Sequence, residues 1–549
     1  MKVTGNTLLA RALLQQRVDL LFFLMGGPLI EAENACSEAG IRMIDVRHEQ
    51  AAAMMAHAYA RVRCGVGVCM GASGPGALNL TMGLANALID ASPVVAIGGA
   101  SPITLQGREA FQEIDQIAAM RPVTKWAERV HSTLRIPEFV DRAFRQATSG
   151  KPGPVYLDLP GDVLYHEVDD EDVVWPAAAD SWVVAKPAAS PQDIQQAINI
   201  LSDAKRPIVL SGSGTLWSKA GDELRRFVEM LGIPFYTTPQ GRGVIPEDHE
   251  YAYSHARSHA FKTADVVVVI GTRLNYVFGF GRPPRFSPDA RFIRIDIDAG
   301  SLLRSDSPGL GLVADAKTAL AQLLDALPGQ LSRELYEPWR CELANINEER
   351  SAKAITRLEN LQVPIHPLRL CKEVRDFLNR DDILVVDGQE ILNYARQVIP
   401  SFVGGHRLNS GPFGTMGVGL PFGIGAKAGK PDKRVVVLHG DGSFGMNCME
   451  LDTAVRHNLP VLVVISLNGG WTAIDPKRNK PGRDLGYTRY DQMARSLGCH
   501  GEYVEKVEDI GPALMRAATE VAAGRPAVVN VVTDAHARAI TTEFTSYAT

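Results

Sequence analysis

The chain has little of what marks several common classes of protein. It has seven cysteines among 549 residues, an odd number without paired spacing, which indicates reduced thiols rather than a disulfide framework. A net charge of −5 and the absence of a basic block argue against a nucleic-acid partner. Apolar runs such as Pro93 to Gly98 are too short to span a bilayer, and residues 1–11 do not resemble a signal peptide. We therefore expect a cytoplasmic protein with neither a membrane nor a nucleic-acid partner.

What the chain does have is an average globular composition, 46% hydrophobic and 22% charged, over a length that suits three or four domains. Strand-like and helix-like stretches alternate, which predicts three α/β blocks. The first and third blocks look like variations on one doubly wound plan. The predicted divisions are a first block 1–167, a linker 168–190, a middle block 191–328, a polar connector 329–360, a third block 361–533 and a C-terminal tail 534–549.

The most informative pattern is a pair of strand ends in the third block. An apolar strand, Val435 to Gly440, runs into Asp441-Gly442-Ser443, and a helix is predicted over Asn447 to His457. The next strand, Val461 to Leu467, ends in Asn468-Gly469-Gly470. Adjacent parallel strands would bring a carboxylate, an amide and a free carbonyl to one sheet edge. These hard oxygen ligands suit Mg²⁺ that also holds a diphosphate, and the N–H groups of the turn favour the same anion.

This spacing, with 25 residues between Gly442 and Asn468, resembles the metal–diphosphate signature of thiamine-diphosphate enzymes. A Gly-Asp-Gly turn alone is common at strand ends. The family often has a second asparagine where Leu467 stands, but the ligand asparagine is kept. The resemblance implies that Asp441, Asn468 and the Gly470 carbonyl hold Mg²⁺. It implies further cofactor contacts at Gly442, Ser443, Asn468 and Thr472.

A thiamine cofactor also needs a carboxylate that is hydrogen-bonded to its aminopyrimidine ring. The candidate is Glu49, which stands where a strand-like run, Asp45 to His48, turns into an alanine-rich helix that ends near Arg61. A glutamate at a helix start usually serves only capping and dipole chemistry. The whole stretch resembles the pyrimidine-binding domain of these enzymes, and the resemblance implies that Glu49 is the activating, catalytic residue.

The resemblance implies five further contacts with the cofactor. Asn79 ends the glycine turn that starts at Ser73, and Phe111-Gln112 lies in a motif that lines the pocket, so either residue can contact the thiazolium or the substrate. A methionine usually fills the core of a protein. Here the resemblance implies that Met416 is the wedge between the two cofactor rings. The implied cofactor contacts outside the metal region are Asn79, Gln112, Gln389 against the diphosphate, the Gly414 carbonyl and Met416.

Over nearly its whole length the chain resembles most closely the 2-hydroxyacyl-CoA lyase and oxalyl-CoA decarboxylase group. The flavin-contacting segments of acetolactate synthase are not found after Thr272. The implied reaction cleaves a 2-hydroxyacyl-CoA to formyl-CoA and an aldehyde or ketone, and the reverse is a condensation. Three alternative functions stay open: an oxalyl-CoA decarboxylase, a carboligase like acetolactate synthase or benzaldehyde lyase, and a catalytically silent homologue. The stretches that carry the resemblance are Phe111 to Glu113, Gly243 to Pro246, Gly271 to Tyr276, Pro283 to Phe286, His406 to Leu408 and Phe413 to Gly419.

The resemblance also points to candidate residues for the substrate and for a nucleotide. Arg407 is a candidate partner for a CoA phosphate or amide, or else a surface arginine. Position 28, where many relatives have a polar residue, is Pro28, so Glu390 and Asp484 become the candidates for a second acid–base group. The tail 534–549 is either a disordered end or an active-site lid. In this group the middle domain can hold ADP, for which the candidates are Gly212, Gly214, Asp296 and Asp315.

The resemblance also fixes the expected architecture. It implies three doubly wound parallel-sheet α/β domains, named in chain order the pyrimidine-binding, middle and diphosphate-binding domains. Because Glu49 and Asp441 lie in different domains, it implies that each site forms between two subunits. A homodimer is then the minimum, and a homotetramer is the expected assembly.

Overall fold

The structure is a computed structural model that describes residues 1–177, 186–304, 308–475, 477 and 480–539. These residues form two compact units. Unit 1 contains the described residues up to 184, 382–389 and 408–535, and unit 2 contains those from 185 to 381, 390–407 and from 536 onwards. Unit 1 therefore combines the predicted first block with most of the third, and unit 2 contains the middle block.

The first block of unit 1 is a parallel sheet with helices between its strands. Its strands are β1 (Lys2–Thr4), β2 (Leu20–Leu24), β3 (Arg42–Asp45), β4 (Gly67–Gly71), β5 (Val94–Ala100), β6 (Trp126–Arg129), β7 (Val155–Pro160) and β8 (Glu167–Asp169). Its helices are α1 (Gly5–Gln15), α2 (Ile30–Glu38), α3 (Glu49–Arg63), α4 (Pro75–Asn79), α5 (Thr81–Ile89), α6 (Gln116–Met120), α7 (Ile136–Thr148) and α8 (Gly161–Tyr165). Six strands follow the order β3-β2-β4-β5-β7-β6, and β1 pairs antiparallel with β8. Strands β4, β5 and β7 are buried throughout, as apolar runs covered on both faces should be.

Unit 2 is built around a smaller parallel sheet. Its strands are β9 (Pro207–Ser211), β10 (Phe235–Thr237), β11 (Val266–Ile270), β12 (Arg291–Asp296) and β13 (Gly309–Val313), in the order β10-β9-β11-β12-β13. Its helices are α9 (Pro191–Ser202), α10 (Ser213–Trp217), α11 (Gly221–Leu231), α12 (Arg257–Thr263), α13 (Ala299–Leu303), α14 (Ala316–Ala326), α15 (Glu337–Leu358), α16 (Pro367–Phe377) and α17 (Glu390–Val398). The polar connector predicted at 329–360 thus contains a helix of 22 residues, α15. Its buried Trp339 and Leu343 belong to an apolar cluster of this unit.

The third block supplies the second large sheet of unit 1. Its strands are β14 (Ile383–Asp387), β15 (Arg407–Leu408), β16 (Val435–Gly440), β17 (Leu462–Leu467), β18 (His500–Val504) and β19 (Ala527–Val532), in the order β15-β14-β16-β17-β19-β18. Its helices are α18 (Gly419–Gly429), α19 (Asp441–Asn447), α20 (Glu450–Arg456), α21 (Tyr490–Ser496) and α22 (Val507–Ala522).

For one helix in this block the predicted starting residue is wrong. Sequence pattern placed a single helix over Asn447 to His457, but the chain becomes helical at Asp441 and is divided into α19 and α20 at residues 448–449. The Asp441 carboxylate lies in the first helical turn and accepts from the Gly442 N–H at 2.8 Å. A carboxylate stabilises the positive end of a helix, so the predicted glycine turn is in fact the start of α19.

The two sheets of unit 1 follow one plan. Numbered within each block from β2 and from β14, both have the strand order 2-1-3-4-6-5. One apolar cluster contains residues from both blocks, among them Met55 of α3 and Ile424 of α18. These helices approach so closely that a side chain at Gly425 would collide with the Met55 carbonyl. The predicted parallel-sheet α/β blocks, and the likeness of the first and third, are confirmed.

Within the part of the chain that the structure describes, none of the helices has the length and apolar character needed to cross a membrane.

Candidate active site

The structure brings the predicted metal ligands together at the carboxyl edge of β16 and β17. The Gly470 N–H donates to Asp441 Oδ2 at 3.0 Å and to Asn468 Oδ1 at 3.2 Å, so both side-chain oxygens accept from the same backbone N–H. Burial raises the pKa of Asp441 to about 6, while the N–H groups of Gly442, Gly469 and Gly470 oppose that rise. A cation in this position would favour the ionised carboxylate.

Two glycines here are required by close packing. A side chain at Gly442 would lie 2.7 Å from the Trp471 ring, and one at Gly470 would collide with the Arg483 carbonyl. Ser443 is fixed in the same turn, because its hydroxyl donates to the Asp387 carbonyl at 3.2 Å and to the Gly440 carbonyl at 3.0 Å. The predicted cofactor contacts at positions 442 and 443 therefore lie on a closely packed helix start.

Arg483 is a residue of this site that the sequence reasoning missed. Its buried guanidinium donates to the carbonyls of Asn468 at 3.2 Å, Gly469 at 3.3 Å and Thr472 at 2.9 Å. One arginine thus holds the whole loop that follows β17. No local motif announces this role, because the arginine lies 15 residues beyond Asn468 and meets the loop only in the fold.

The residues present fit a hard divalent cation with a diphosphate. Asp441 offers a carboxylate, Asn468 an amide oxygen and Gly470 a carbonyl that accepts no hydrogen bond within the described ranges. Among the described residues no cluster of three or more His, Cys, Asp and Glu side chains could hold a metal. An oxygen set with one carboxylate instead suits Mg²⁺, which takes its remaining ligands from phosphate and water.

The loop with Gly414 and Met416 is held by two side chains. Asp387 Oδ2 accepts from the Gly419 N–H at 2.9 Å, and the Asn447 amide donates to the Gly417 carbonyl at 2.8 Å. Burial raises the pKa of Asp387 to about 6. Gly417 has φ +85°, and a side chain there would lie 2.9 Å from Met446. Met416 is half-buried beside this fixed glycine, which is compatible with its predicted role as a wedge.

Gln389 and Gly414 are both at the surface of the described chain. Gln389 is exposed just after β14, and Gly414 is exposed with φ +75°. Their roles stay predictions.

The first block places Glu49 at the first position of α3. Its side chain is buried, and the Asn79 amide donates to Glu49 Oε2 at 2.9 Å. Added atoms at Gly76 would lie 3.2 Å from Glu49 Oε1, so the Ser73–Asn79 turn lies directly against the carboxylate. The structure thereby joins two predicted site residues that are 30 positions apart.

The loop with Phe111 and Gln112 lies beside the same turn. Gln112 has φ +59°, a left-handed conformation that is uncommon for this residue type, and its Oε1 accepts from the Ser73 hydroxyl at 2.6 Å. Phe111 is 86% exposed. The ring of Pro28 packs against Gly99 and Gly161.

A buried polar network behind this loop was not foreseen. Gln116 accepts from the Gly74 N–H at 2.6 Å, and its amide donates to the Gly99 carbonyl, the Tyr156 hydroxyl and Asp158 Oδ1 at 2.6 to 2.9 Å. One side chain thus connects the turn after β4 to β5 and β7. The signal was weak, because a glutamine near a helix start is common and its partners are remote in sequence.

The predicted substrate residues do not form one cluster. The sequence left a surface position possible for Arg407, but the side chain is only 3% exposed. Its Nη atoms have no partner within the described residues. Burial lowers its pKa, Arg242 lowers it further, and Glu247 opposes both. In unit 2 the Glu390 carboxylate accepts from the Ala539 N–H at 3.0 Å, so it is engaged with the start of the tail. Asp484 of unit 1 is 84% exposed and bound to Arg483 at 3.0 Å.

The C-terminal tail can be followed only in part. The predicted tail or lid covers 534–549, and Ala539 is the last described residue, so its part from 540 onwards lies outside the described residues.

The four predicted nucleotide residues lie at strand ends of unit 2, where each takes part in close packing or in a hydrogen bond within the protein. A side chain at Gly214 would lie 2.5 Å from the Gly271 backbone, and one at Gly212 would meet Thr272. Asp315 is buried at the start of α14, where it accepts from Ser218 at 2.9 Å. Asp296 accepts from the Asp298 N–H at 2.9 Å. ADP binding stays a prediction.

Comparison with known proteins gives matches along the chain. Residues 3–119 match the family model for the thiamine pyrophosphate enzyme N-terminal TPP binding domain, residues 194–323 the central domain, and residues 392–531 the C-terminal TPP binding domain. The chain is 31% identical to 2-hydroxyacyl-CoA lyase 1 of Homo sapiens, over 98% of this chain and 95% of the relative. It is 33% identical to 2-hydroxyacyl-CoA lyase of Arabidopsis thaliana, over 98% and 96%. It is 35% identical to the acetolactate synthase large subunit IlvG of Mycobacterium tuberculosis, over 96% of each. The chain therefore belongs to the family of thiamine pyrophosphate-dependent enzymes that includes the 2-hydroxyacyl-CoA lyases.

Proposed function

We propose that this enzyme cleaves the bond between C1 and C2 of a 2-hydroxyacyl-CoA, giving formyl-CoA and an aldehyde or ketone, and that it catalyses the reverse condensation. The observation that carries the proposal is the buried Glu49–Asn79 pair in one block together with Asp441, Asn468 and Gly470 in the other. These are the groups that a thiamine enzyme needs for activation and for binding. The lyase relatives, which align over almost the whole chain, support the choice of a CoA ester.

Each half of the site has its own task. Asp441, Asn468 and the Gly470 carbonyl would hold Mg²⁺, and Gly442, Ser443 and Gln389 would contact the diphosphate. Thiamine diphosphate, when bound, stabilises the carbanion that cleavage of a carbon–carbon bond generates.

Glu49 handles a proton in the other half. Its buried carboxylate would exchange a proton with a nitrogen of the aminopyrimidine ring, and the Asn79 amide orients that carboxylate. Met416, on the loop fixed by Asp387 and Asn447, would support the bent cofactor, and the Gly414 carbonyl would accept from the amino group. The protein's contribution is alignment and proton placement.

The assembly and the CoA contacts belong to the same proposal. Each site would combine Glu49 of one subunit with Asp441 of another, so that the active enzyme is a homodimer at least and a homotetramer in its full form. Arg407, Glu390, Asp484 and Phe111 stay candidate substrate residues, Thr472 a candidate cofactor contact, and ADP a candidate ligand of the middle domain.

A second candidate function is carboligation of 2-oxo acids, as the name of the acetolactate synthase relative suggests. The two candidates share cofactor chemistry and differ in whether the reacting carbonyl compound carries a carboxylate.

The test is parallel incubation with oxalyl-CoA, 2-hydroxyisobutyryl-CoA, mandelyl-CoA and pyruvate in the presence of thiamine diphosphate and Mg²⁺. Formyl-CoA, carbonyl products and acetolactate are measured. We expect formyl-CoA together with a ketone or aldehyde from at least one 2-hydroxyacyl-CoA. Acetolactate from pyruvate, without turnover of any CoA ester, would contradict the proposal.

A further inference from the structure

Glu450 is a buried carboxylate at the place where helix α20 of the third block meets the start of α3 in the first. Its side chain is 1% exposed. Its Oε1 and Oε2 accept from the Arg47 N–H at 3.1 and 3.3 Å. The Thr453 hydroxyl, on the same helix as Glu450, donates to Oε2 at 2.6 Å and orients the carboxylate. The third block thus supplies a fixed acceptor for one backbone N–H of the first block.

The Arg47 N–H lies shortly before Glu49, which is the first residue of α3. The residue between them, His48, is the N-cap of this helix, and its Nδ1 accepts from the Gln50 N–H at 3.1 Å. The dipole of a helix favours a carboxylate close to its first turn. Glu450 therefore holds the backbone where the chain enters α3, directly before the side chain for which we propose proton exchange.

The other end of α20 makes a second contact with the same segment. Arg456 Nη1 lies 2.6 Å from Asp45 Oδ2, and Nη2 donates to the Asp45 carbonyl at 3.2 Å. His457 follows α20, and its Nε2 lies 2.7 Å from Asp45 Oδ1. Asp452 orients the arginine by accepting from its Nε at 2.7 Å. Segment 45–48, which leads into Glu49, is thus held at two points by the third block.

Holding the two blocks together does not account for these contacts. The apolar cluster that includes Met55 of α3 and Ile424 of α18 already joins the blocks. Burial of a carboxylate costs free energy, and apolar residues of similar volume often stabilise a contact equally well or better. What Glu450 supplies, and an apolar side chain cannot, is a directional hydrogen bond to a backbone N–H. The contacts of α20 therefore indicate a role in the geometry of the chain before Glu49.

We propose that Glu450 and Arg456 are positioning residues, which fix segment 45–48 from α20 and thereby direct the Glu49 carboxylate toward the aminopyrimidine ring. The inference rests on the proposed function, from which it takes the proton exchange between Glu49 and the cofactor. Asn79 holds the carboxylate itself at 2.9 Å, while the α20 contacts hold the backbone from which the side chain extends. Proton transfer requires heavy atoms within about 2.6–3.2 Å of each other. A displacement of about 1 Å can lower a rate by about a hundredfold.

The first test uses the full chain without added cofactor and measures amide hydrogen–deuterium exchange by mass spectrometry. In Glu450→Ala the segment 46–50 should exchange at least about tenfold faster than in wild type, and in Arg456→Met several-fold faster. The interior of α3, residues 52–62, should keep its wild-type protection, because the change is local. Wild-type protection of 46–50 in both variants would overturn the proposal.

The matched control is Arg516→Met. Arg516 donates to Glu502 at 2.8 and 2.9 Å, an arginine–carboxylate pair that lies wholly within the third block. The control therefore loses an ion pair without changing a contact of segment 45–48. It should leave the exchange of both segments, and the rate measured in the second test, at the wild-type values.

The second test measures the step that Glu49 promotes, without any CoA ester. Thiamine diphosphate and Mg²⁺ are bound to saturation, and the exchange of the thiazolium C2 proton for deuterium is followed by quenching and ¹H NMR. Per bound cofactor, the rate should fall at least about tenfold in Glu450→Ala and several-fold in Arg456→Met. The affinity for thiamine diphosphate, measured by calorimetry, should stay within a few-fold of wild type. A loss of affinity as large as the loss of rate would overturn the proposal.

A conservative variant separates position from stability. Glu450→Gln keeps an oxygen that can accept from the Arg47 N–H, so the rate of C2 exchange should return to within a few-fold of wild type. If Glu450→Ala does not fold, Arg456→Met still tests the proposal, because that side chain is 35% exposed.

Two outcomes distinguish the proposals from each other. Loss of C2 exchange in Glu49→Gln, with the wild-type rate in Glu450→Ala and Arg456→Met, would overturn the positioning role alone. If C2 exchange follows the expectations above but no CoA ester is turned over, the proposed function fails and the positioning role stands.

Discussion

The two sheets of unit 1 share a strand order and differ in their chemistry. In the first block the turn after β4 carries Asn79, whose amide donates to Glu49, the carboxylate for which we propose a role in proton exchange. At the equivalent place in the third block, after β16, stands Asp441, a carboxylate aimed with Asn468 at one amide and suited to a cation. The shared topology determines where a ligand can bind. We propose that the residues at the strand ends determine whether each half of the site activates the cofactor or binds its metal.

The largest expected effect comes from a substitution in the activating half of the site, the half that contains Glu49 and Asn79. Glu49→Gln keeps an acceptor for the Asn79 amide but cannot exchange a proton, so turnover should fall by about 10²- to 10⁴-fold or more. Binding of thiamine diphosphate, measured by calorimetry with Mg²⁺, should stay within a few-fold of wild type. Asn79→Asp serves as a comparison, because it keeps the size of the side chain while placing a second carboxylate beside Glu49. Turnover at the wild-type rate in Glu49→Gln would remove this residue from the mechanism.

A substitution in the half that contains the implied metal ligands should instead impair binding of the cofactor. Asp441→Ala removes the one carboxylate among the implied metal ligands, so calorimetry should show a loss of affinity for thiamine diphosphate with Mg²⁺ of about a hundredfold or more. The exposed Asp432, a carboxylate of the same block outside the predicted site, gives the matched control Asp432→Ala. Unchanged cofactor affinity in Asp441→Ala would mean that the metal is held elsewhere.

A smaller effect should follow from loosening the loop after β17. Arg483→Met removes the donors to the carbonyls of Asn468, Gly469 and Thr472. We expect about a tenfold rise in the KM for thiamine diphosphate with a much smaller change in kcat at saturating cofactor, since the ligands themselves remain. Arg483→Lys should recover part of the loss. A fall in kcat alone would assign Arg483 to the chemistry instead.

The last expected effect is on stability rather than on activity, and it concerns pH and the contact between the blocks. Glu450 of the third block accepts from the Arg47 N–H of the first at 3.1 Å, and burial raises its pKa from 4.5 to about 7. A raised carboxylate pKa means that the stabilisation is fully present below pH 4.5 and is lost as the pH rises through about 7.

Glu450→Gln cannot ionise and should escape this loss. Relative to wild type, its free energy of unfolding should rise between pH 4.5 and 7 by at most about 3 kcal/mol. Urea denaturation across this pH range measures it, with Glu505→Gln on the surface as the control. A difference that does not change with pH would contradict the raised pKa.

Much of this comparison could be predicted from the sequence. The apolar runs before Asp441 and Asn468 placed both residues at one sheet edge, because buried parallel strands are locally encoded. Glu49 was identified through resemblance rather than chemistry, since a glutamate at a helix start has an ordinary local role. The start of α19 was misplaced because the pattern of a turn and that of a capped helix start are alike around Gly440.

The supporting residues could not be predicted in the same way. Arg483 and Gln116 act through hydrogen bonds to residues that are 11 to 42 positions away, and nothing local marks them. Arg407 shows the converse case. Its neighbours in sequence are unremarkable, yet the fold buries it.

The most direct test of the two-half account is complementation between inactive chains. Glu49→Gln and Asp441→Ala chains are denatured together, refolded as a 1:1 mixture and assayed with the CoA ester that the wild type cleaves. If each site combines Glu49 of one subunit with Asp441 of another, random mixing of dimers should restore about a quarter of wild-type activity. Activity no greater than that of either variant refolded alone, with wild type refolded in parallel as the active control, would contradict the account.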